Sequence, residues 1–230
     1  MSLTAPRGTG DDLVDVLGSK PVIHSHIPFR GKIFDVQRDT VDLGAGGVVV
    51  RDFVRHPGAV VAVAVHPFDG VDHVLLIRQY RHPAAAHLWE LPAGLLDVHE
   101  EPPWKAAARE LHEEVDLVAR RWDVLIDSFA SPGAFPEAVR IFLARELQDV
   151  PSHHAHARTG EEVDLRPLWV PIDQAHAAVL AGRLHNSSAI IGVLAAHAAR
   201  ARGWETVRPH DAPWPEHPAN REPAPPSDRA

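Results

Sequence analysis

GLLDVHEEPPWKAAARELHEEVDL, from Gly94 to Leu117, is the stretch whose reading decides the fold. Pro102 and Pro103 suit the first turn of a helix, where a missing amide hydrogen costs nothing, and a run of Ala and Leu follows. Trp104, Ala108, Leu111 and Val115 recur at spacings of four, three and four, which predicts one apolar stripe facing a core. Glu110, Glu113 and Glu114 share another face. Carboxylates that close repel one another, so the cluster is unfavourable unless cations sit between them. Hard cations such as Mg2+ or Mn2+ take oxygen ligands of this kind, and the segment therefore points to a divalent-metal site suited to phosphate chemistry. For an arbitrary Glu-rich helix the plain alternative is a solvated acidic face.

Working outward, residues 1–20 are expected to be a loose leader. Residues 21–57 alternate short β-like runs (IFDVQRDTVDL, GGVVVRDFV) with turn signals at Arg30-Gly31 and Gly44 to Gly47, which predicts a small N-terminal antiparallel β domain. After His56-Pro57-Gly58 come AVVAVAVHPF and HVLLIRQYR, two strong strand patterns joined by the turn DGVD. The acidic helix follows, then strand candidates WDVLIDSF, AVRIFLARE and LRPLWVP, and helices within Asp173 to Leu184 and Ser187 to Arg202. This order predicts an α/β/α layered domain with a mixed sheet over residues 58–205. Residues 206–230, rich in Pro, Ala and charge, are expected to be a disordered tail.

The 230 residues, 45% of them hydrophobic, can supply a sizeable core. The absence of cysteine excludes disulfides and thiolate metal sites. A formal charge of -8, a pI near 6.1 and the lack of a basic run argue against nucleic-acid binding. The longest apolar stretches, such as Ala59 to Val65, are too short to span a bilayer, and the start MSLTAPRGTGDD has no apolar signal core. A cytoplasmic location without membrane attachment is the expectation.

The segment from Gly94 resembles the signature of the Nudix hydrolases, G-x5-E-x7-R-E-U-x-E-E-x-G-U with U aliphatic. Gly94, Glu101, Arg109, Glu110, Leu111, Glu113, Glu114 and Leu117 match in kind. Six residues rather than five separate Gly94 from Glu101, which a one-residue extension of the loop before the helix explains. Asp116 stands where the family has glycine, just past the helix end; aspartate tolerates the left-handed conformation common there better than most residues, but its charge opposes the helix dipole, so some loss of stability is expected. RQYRHP at Arg78 to Pro83, LWELPAG at Leu88 to Gly94, SPG at Ser131 to Gly133 and EEVD at Glu161 to Asp164 are similar, in order and spacing, to the ADP-ribose pyrophosphatase branch. Pro132, about fifteen residues past Leu117, matches the proline that marks this branch. The likeness spans roughly residues 20–203.

The resemblance implies a Nudix-type sandwich and hydrolysis of the pyrophosphate bond of ADP-ribose, or of a related nucleoside diphosphate sugar. It implies that Glu110 and Glu114, assisted by Glu113 and by the main-chain carbonyl of Ala93, hold two or three Mg2+ or Mn2+ ions. Arg109 would orient the glutamates, and Glu101 would have a supporting or peripheral metal role. The branch's general base is a glutamate on a loop before a late strand, which by its spacing to LRPLWVP is Glu161, with Glu162 as the near rival. Glu137, in the SPGAFPE loop, is the other carboxylate to watch; its plain reading is a surface charge. Arg51 and Arg81 match positions that clamp phosphates or flank adenosine, although each alone is as readily a surface salt-bridge partner. Glu90 would pair with one of them. Trp89 and Tyr80 suit either a base-stacking or a core role. The branch exchanges its N-terminal β segment between protomers, which implies a domain-swapped homodimer. His153, His154 and His156 tempt a transition-metal reading, but a solvated loop suits their Ser and Ala neighbours better. Two alternatives stay open: a Nudix hydrolase of oxidised nucleoside diphosphates, and a non-catalytic ligand sensor on the same fold.

Overall fold

In the computed structural model, residues 3, 5–151, 153, 156–157 and 163–221 are described. The leader carries a single 3-10 turn, Gly10–Asp12, and residues 5–20 are exposed. Strands β1 (Val22–Arg30), β2 (Asp35–Asp42) and β3 (Val48–Val54) then form a three-stranded antiparallel sheet in the order β1-β2-β3. Its alternating valines and threonine suit a half-buried pleat.

The main sheet is built around β4 (Ala59–Phe68). β5 (Val71–Arg81) returns antiparallel through the Asp69-Gly70 turn, as the DGVD signal predicts. β6 (Ala86–Glu90) pairs with the far half of β5, and β7 (Ala93–Leu95) pairs with the start of β4. Helix α1 (Pro103–Val115) leads into β8 (Leu117–Phe129) and then β9 (Ala138–Asp149). β10 (Arg166–Pro171), α2 (Ile172–Leu180), α3 (Ser187–Arg200) and the short β11 (Arg208–Pro209) follow. The sheet order is β10-β5-β4-β9-β8-β11, and the β4–β9 pair is parallel while the other pairs are antiparallel. A mixed sheet is thus present.

β4 explains the layers. Its sequence AVVAVAV is apolar at every position because both faces are covered. Val61, Val63 and Val65 pack with Ile141, Leu143 and the Ala189, Val193, Ala196 face of α3, whereas Val60, Ala62 and Ala64 pack with Phe142 and with Ala106, Ala107 and Leu111 of α1. Helices therefore flank the sheet on both sides.

The apolar stripe of α1 meets the core: Leu111 is buried, Trp104, Ala108 and Val115 pack partly buried against the same cluster, and Ala106, Ala107 and Glu114 are buried beside them. The Trp104 ring also meets His210 edge-on at 4.9 Å. Two expectations change in detail. α2 ends at Leu180, short of Leu184, because Arg183 N–H closes back onto Ala178 O at 3.0 Å and Gly182 takes the left-handed turn. The second change is the larger. Residues 206–221, expected to belong to a disordered tail, lie across the molecule: β11 adds to β8, and Trp214 and His217 are buried. Arg140, 2% exposed on β9, donates to the carbonyls of Ala212 and Pro213 at 2.7 and 3.0 Å and lies 4.6 Å over the Trp214 ring. A buried guanidinium needs acceptors, and this segment supplies them.

Candidate active site

Helix α1 projects its glutamates toward the β6–β7 connection. Ala93 N–H donates to Glu114 Oε2 at 3.1 Å. The Glu110 carboxylate lies against Gly94 so closely that a Cβ at Gly94 would sit 2.0 Å from Glu110 Oε1. Any side chain at Gly94 would displace Glu110, which gives a steric reason for glycine at this point of the motif.

Arg109 gathers the remaining carboxylates. Its Nε and Nη2 reach the two oxygens of Glu101 at 3.3 and 3.2 Å, and Nη1 reaches Glu110 at 2.6 Å and Glu113 at 3.1 Å. On the opposite wall Arg81 makes a two-pronged pair with the buried Glu90 at 3.0 and 2.8 Å, as the sequence suggested for Glu90. A cleft of about 390 Å³ is lined among others by this Arg81–Glu90 pair and by Gly94, Glu137, Asn186 and Ser188. Ala93 also lines it.

The electrostatics mark the helix out. Burial pushes the Glu114 carboxyl up to about 8, the Ala93 amide and Arg81 oppose the shift, and the negative charges of Glu110 and Glu90 add to it. Burial raises Glu110 as well, against the pull of Arg109. Among the described residues, no three His, Asp or Glu side chains already converge in the geometry of a metal site. Arg109 holds Glu110 and Glu113, and Glu114 is turned to the Ala93 amide. The chemistry of the donor set nevertheless fits a hard divalent ion: the donors are oxygens, they outnumber the one arginine among them, and Glu114 is buried where its own charge is unfavourable. Glu110, Glu113, Glu114 and the Ala93 carbonyl are the residues that would hold it.

The structure brings Glu110, Glu113, Glu114, Arg109, Ala93, Arg81, Glu90 and Glu137 to one region, but it does not bring Arg51 there. Arg51 is exposed on β3, where its guanidinium donates to the neighbouring Val50 carbonyl at 2.9 Å. Glu161, Glu162 and His154 lie outside the described residues. Sequence reasoning missed His56, which faces Glu137 at 3.7 Å, and the cleft residues Asn186 and Ser188. Asn186 was legible as the cap of α3, whose side chain accepts from Ala189 N–H at 2.9 Å. Asp116, in the left-handed conformation at φ 53°, is better accommodated than expected: its carboxylate accepts the His156 N–H at 2.9 Å.

The comparisons agree with this geometry. The family model of the NUDIX domain matches residues 57–190. The chain is 45% identical over 196 residues to an ADP-ribose pyrophosphatase of Mycobacterium tuberculosis, covering 85% of this chain and 91% of that protein. It is 32% identical over 165 residues to a methanol dehydrogenase activator of Bacillus methanolicus, covering 72% of this chain and 85% of that one. A solved structure titled as an ADP compounds hydrolase superposes with a TM-score of 0.66 at 20% identity, over 83% of this chain and 99% of its own, a likeness of fold. With the helix, the glycine and the matched length in agreement, the chain belongs to the Nudix family.

Proposed function

We propose that the protein hydrolyses the pyrophosphate bond of ADP-ribose to AMP and ribose 5-phosphate, using Mg2+ or Mn2+, two or three ions at a time. Nudix hydrolases generally use a divalent metal. The observation that carries the reading is the cleft itself, in which Arg81, paired with buried Glu90, faces the strand that receives Glu110 and Glu114. A relative of 45% identity bears the name ADP-ribose pyrophosphatase, which supports this substrate class.

When bound, such ions neutralise charge on phosphate oxygens and lower the pKa of a water. The chain's own residues do the rest. Glu110 and Glu114, with Glu113 and the Ala93 carbonyl, present the oxygens, and Arg109 keeps three carboxylates in register through Glu101, Glu110 and Glu113. Arg81 grips a phosphate oxygen while Glu90 fixes its fork. A glutamate takes the proton of the attacking water as its oxygen joins phosphorus, and the bridging oxygen leaves with the other phosphate. Glu161 is assigned that role, with Glu162 and then Glu137 as rivals.

Arg51 reaches a cleft only if a second protomer supplies it. The exposed Ile23, Phe29, Val48 and Val50 of the three-stranded sheet favour such pairing, so a homodimer with shared clefts is part of the proposal. Among the described residues no helix is long and apolar enough to cross a membrane, and a cytoplasmic location belongs to the same reading. The test is turnover: ADP-ribose with Mg2+ should give AMP and ribose 5-phosphate faster than NAD, ADP-glucose or oxidised dGDP is cleaved. Preference for oxidised dGDP would replace the substrate assignment, and binding without turnover of any of them would make the chain a sensor.

A further inference from the structure

The turn His56-Pro57-Gly58, which joins the three-stranded sheet to β4, is held from three sides. Gly58 N–H donates to His56 Nδ1 at 3.1 Å, so that nitrogen is the acceptor and the ring proton sits on Nε2. Nε2 lies 3.7 Å from Glu137 Oε1, a close polar approach longer than a hydrogen bond. Gly58 O accepts Leu96 N–H at 3.1 Å, tying the turn to the segment that follows Gly94. The third hold comes from the C-terminal strap, residues 206–221. His217 Nδ1 accepts Ala219 N–H at 3.2 Å, which leaves Nε2 to donate to Pro57 O at 3.0 Å.

No side chain separates these groups. Gly58 has φ +94°, and a Cβ there would lie 2.5 Å from His217 Nε2 and 3.2 Å from the carbonyl of Ala138, the residue after Glu137. Glu137 is fixed at its backbone, where its carbonyl accepts Ala130 N–H at 3.1 Å. Glu137 lines the cleft with Asn186 and Ser188, residues whose polar groups suit the hydroxyls of a sugar. Neither His56 nor the strap lines that cleft.

We propose that His56 and His217 are positioning residues for Glu137: the strap fixes the 56–58 turn, the turn fixes the His56 ring, and His56 fixes the Glu137 carboxylate as a grip on the substrate's sugar. The inference rests on the cleft being the substrate site, and it extends the reaction's determinants to a segment 160 residues away from Pro57 in sequence.

The test uses the full chain and the variants His56→Ala, His217→Ala, Glu137→Ala and the two doubles with Glu137→Ala. Both histidine variants should raise KM for ADP-ribose about three- to tenfold with kcat within about twofold of wild type. In the doubles the histidine change should add nothing to Glu137→Ala, because one grip cannot be lost twice. His56→Gln and His217→Gln, which keep an N–H at the reach of Nε2, should restore KM. An unchanged KM in His56→Ala, or a Tm loss in His217→Ala with KM unmoved, overturns the proposal, as do effects that multiply with Glu137→Ala. If His217→Ala does not fold, His56→Ala and His217→Gln decide. Should wild type leave ADP-ribose intact, the substrate reading fails and the carboxyl 13C resonance of Glu137 decides the positioning: it shifts in both histidine variants if they hold it and stays in place if they do not.

Discussion

Two arginines in this molecule sit at the centre of carboxylate networks, and the two networks follow opposite rules. Arg140 takes both oxygens of Asp127 at 2.7 and 3.0 Å, gives its other N–H groups to two carbonyls of the strap, and lays its face on Trp214. Arg208 adds a second cation to Asp127 at 2.6 Å. Negative charge there is fully matched from within the chain. Arg109, by contrast, faces Glu101, Glu110 and Glu113 alone, with the buried Glu114 beside them. A network that closes its own charges holds a fold together, whereas one left with surplus carboxylate is completed from solution.

The contrast breaks first at the helix. Glu114→Gln and Glu110→Gln should each lower kcat by about two orders of magnitude or more at saturating Mg2+, since each removes an oxygen donor where charge must be neutralised. Neither should lower Tm in metal-free buffer, because each relieves repulsion. Near-normal turnover in either variant would mean that the surplus charge serves no ion.

At the strap the same kind of change should act on stability instead. Arg140→Met leaves Asp127 with only the half-exposed Arg208 and should cost about 3–5 kcal/mol. For a chain of this size that lowers Tm by about 10 °C, while kcat of the folded protein stays within about twofold. A Tm within about 2 °C of wild type would show that the strap is not held through Arg140.

Acid should also separate the two regions, with opposite signs. Glu114 has its folded pKa raised from 4.5 to about 8 by burial, so its contribution to stability is fully present below 4.5 and is lost as pH rises through 8. In EDTA, Tm should therefore fall between those values, and Glu114→Gln should flatten the slope. Burial lowers the His217 pKa from 6.5, with Arg221 and Arg140 adding to the shift and Pro57 O opposing it. Its contribution is present above 6.5 and is lost as pH falls through the lower folded value. His217→Gln should remove that acid-side loss and leave the alkaline side unchanged, and differential scanning fluorimetry across pH reads both slopes.

How far the sequence could be read differs between the regions for a physical reason. Spacing alone placed α1, its glutamates and the turn at Asp69-Gly70, because helices and hairpins are local and their periodicity is written in adjacent residues. The Arg81–Glu90 pair spans nine residues across the β5–β6 hairpin and was within reach of the same logic. The strap was misread because Pro, Ala and charge report what a segment lacks, not what another part of the chain needs. Arg140 finds its carbonyls 72 and 73 residues away, and no local pattern encodes that. Trp214 was the available signal, since a large aromatic is out of place in a segment with nothing to bury. The His56–Glu137 approach is hidden in the same way.

The smallest expected effect lies at Asp116, at the C-terminal end of α1. Glycine there would relieve the left-handed backbone at φ 53° and remove a carboxylate from the negative end of the α1 dipole, which together stabilise by about 1 kcal/mol. It would also remove the acceptor of the His156 N–H at 2.9 Å, a bond to a charged group that contributes about 1.5–3 kcal/mol when well shielded and less where solvent reaches it. The two changes oppose each other, so Asp116→Gly should move Tm by no more than about 3 °C. The loss should instead be local: amide exchange at His156 should accelerate by about tenfold or more while Asp116→Asn, which keeps an oxygen at the same place, preserves its protection. A rise in Tm with His156 still protected would show that the carboxylate contributes nothing to this contact, and that glycine suits the helix end here as it does in the family signature.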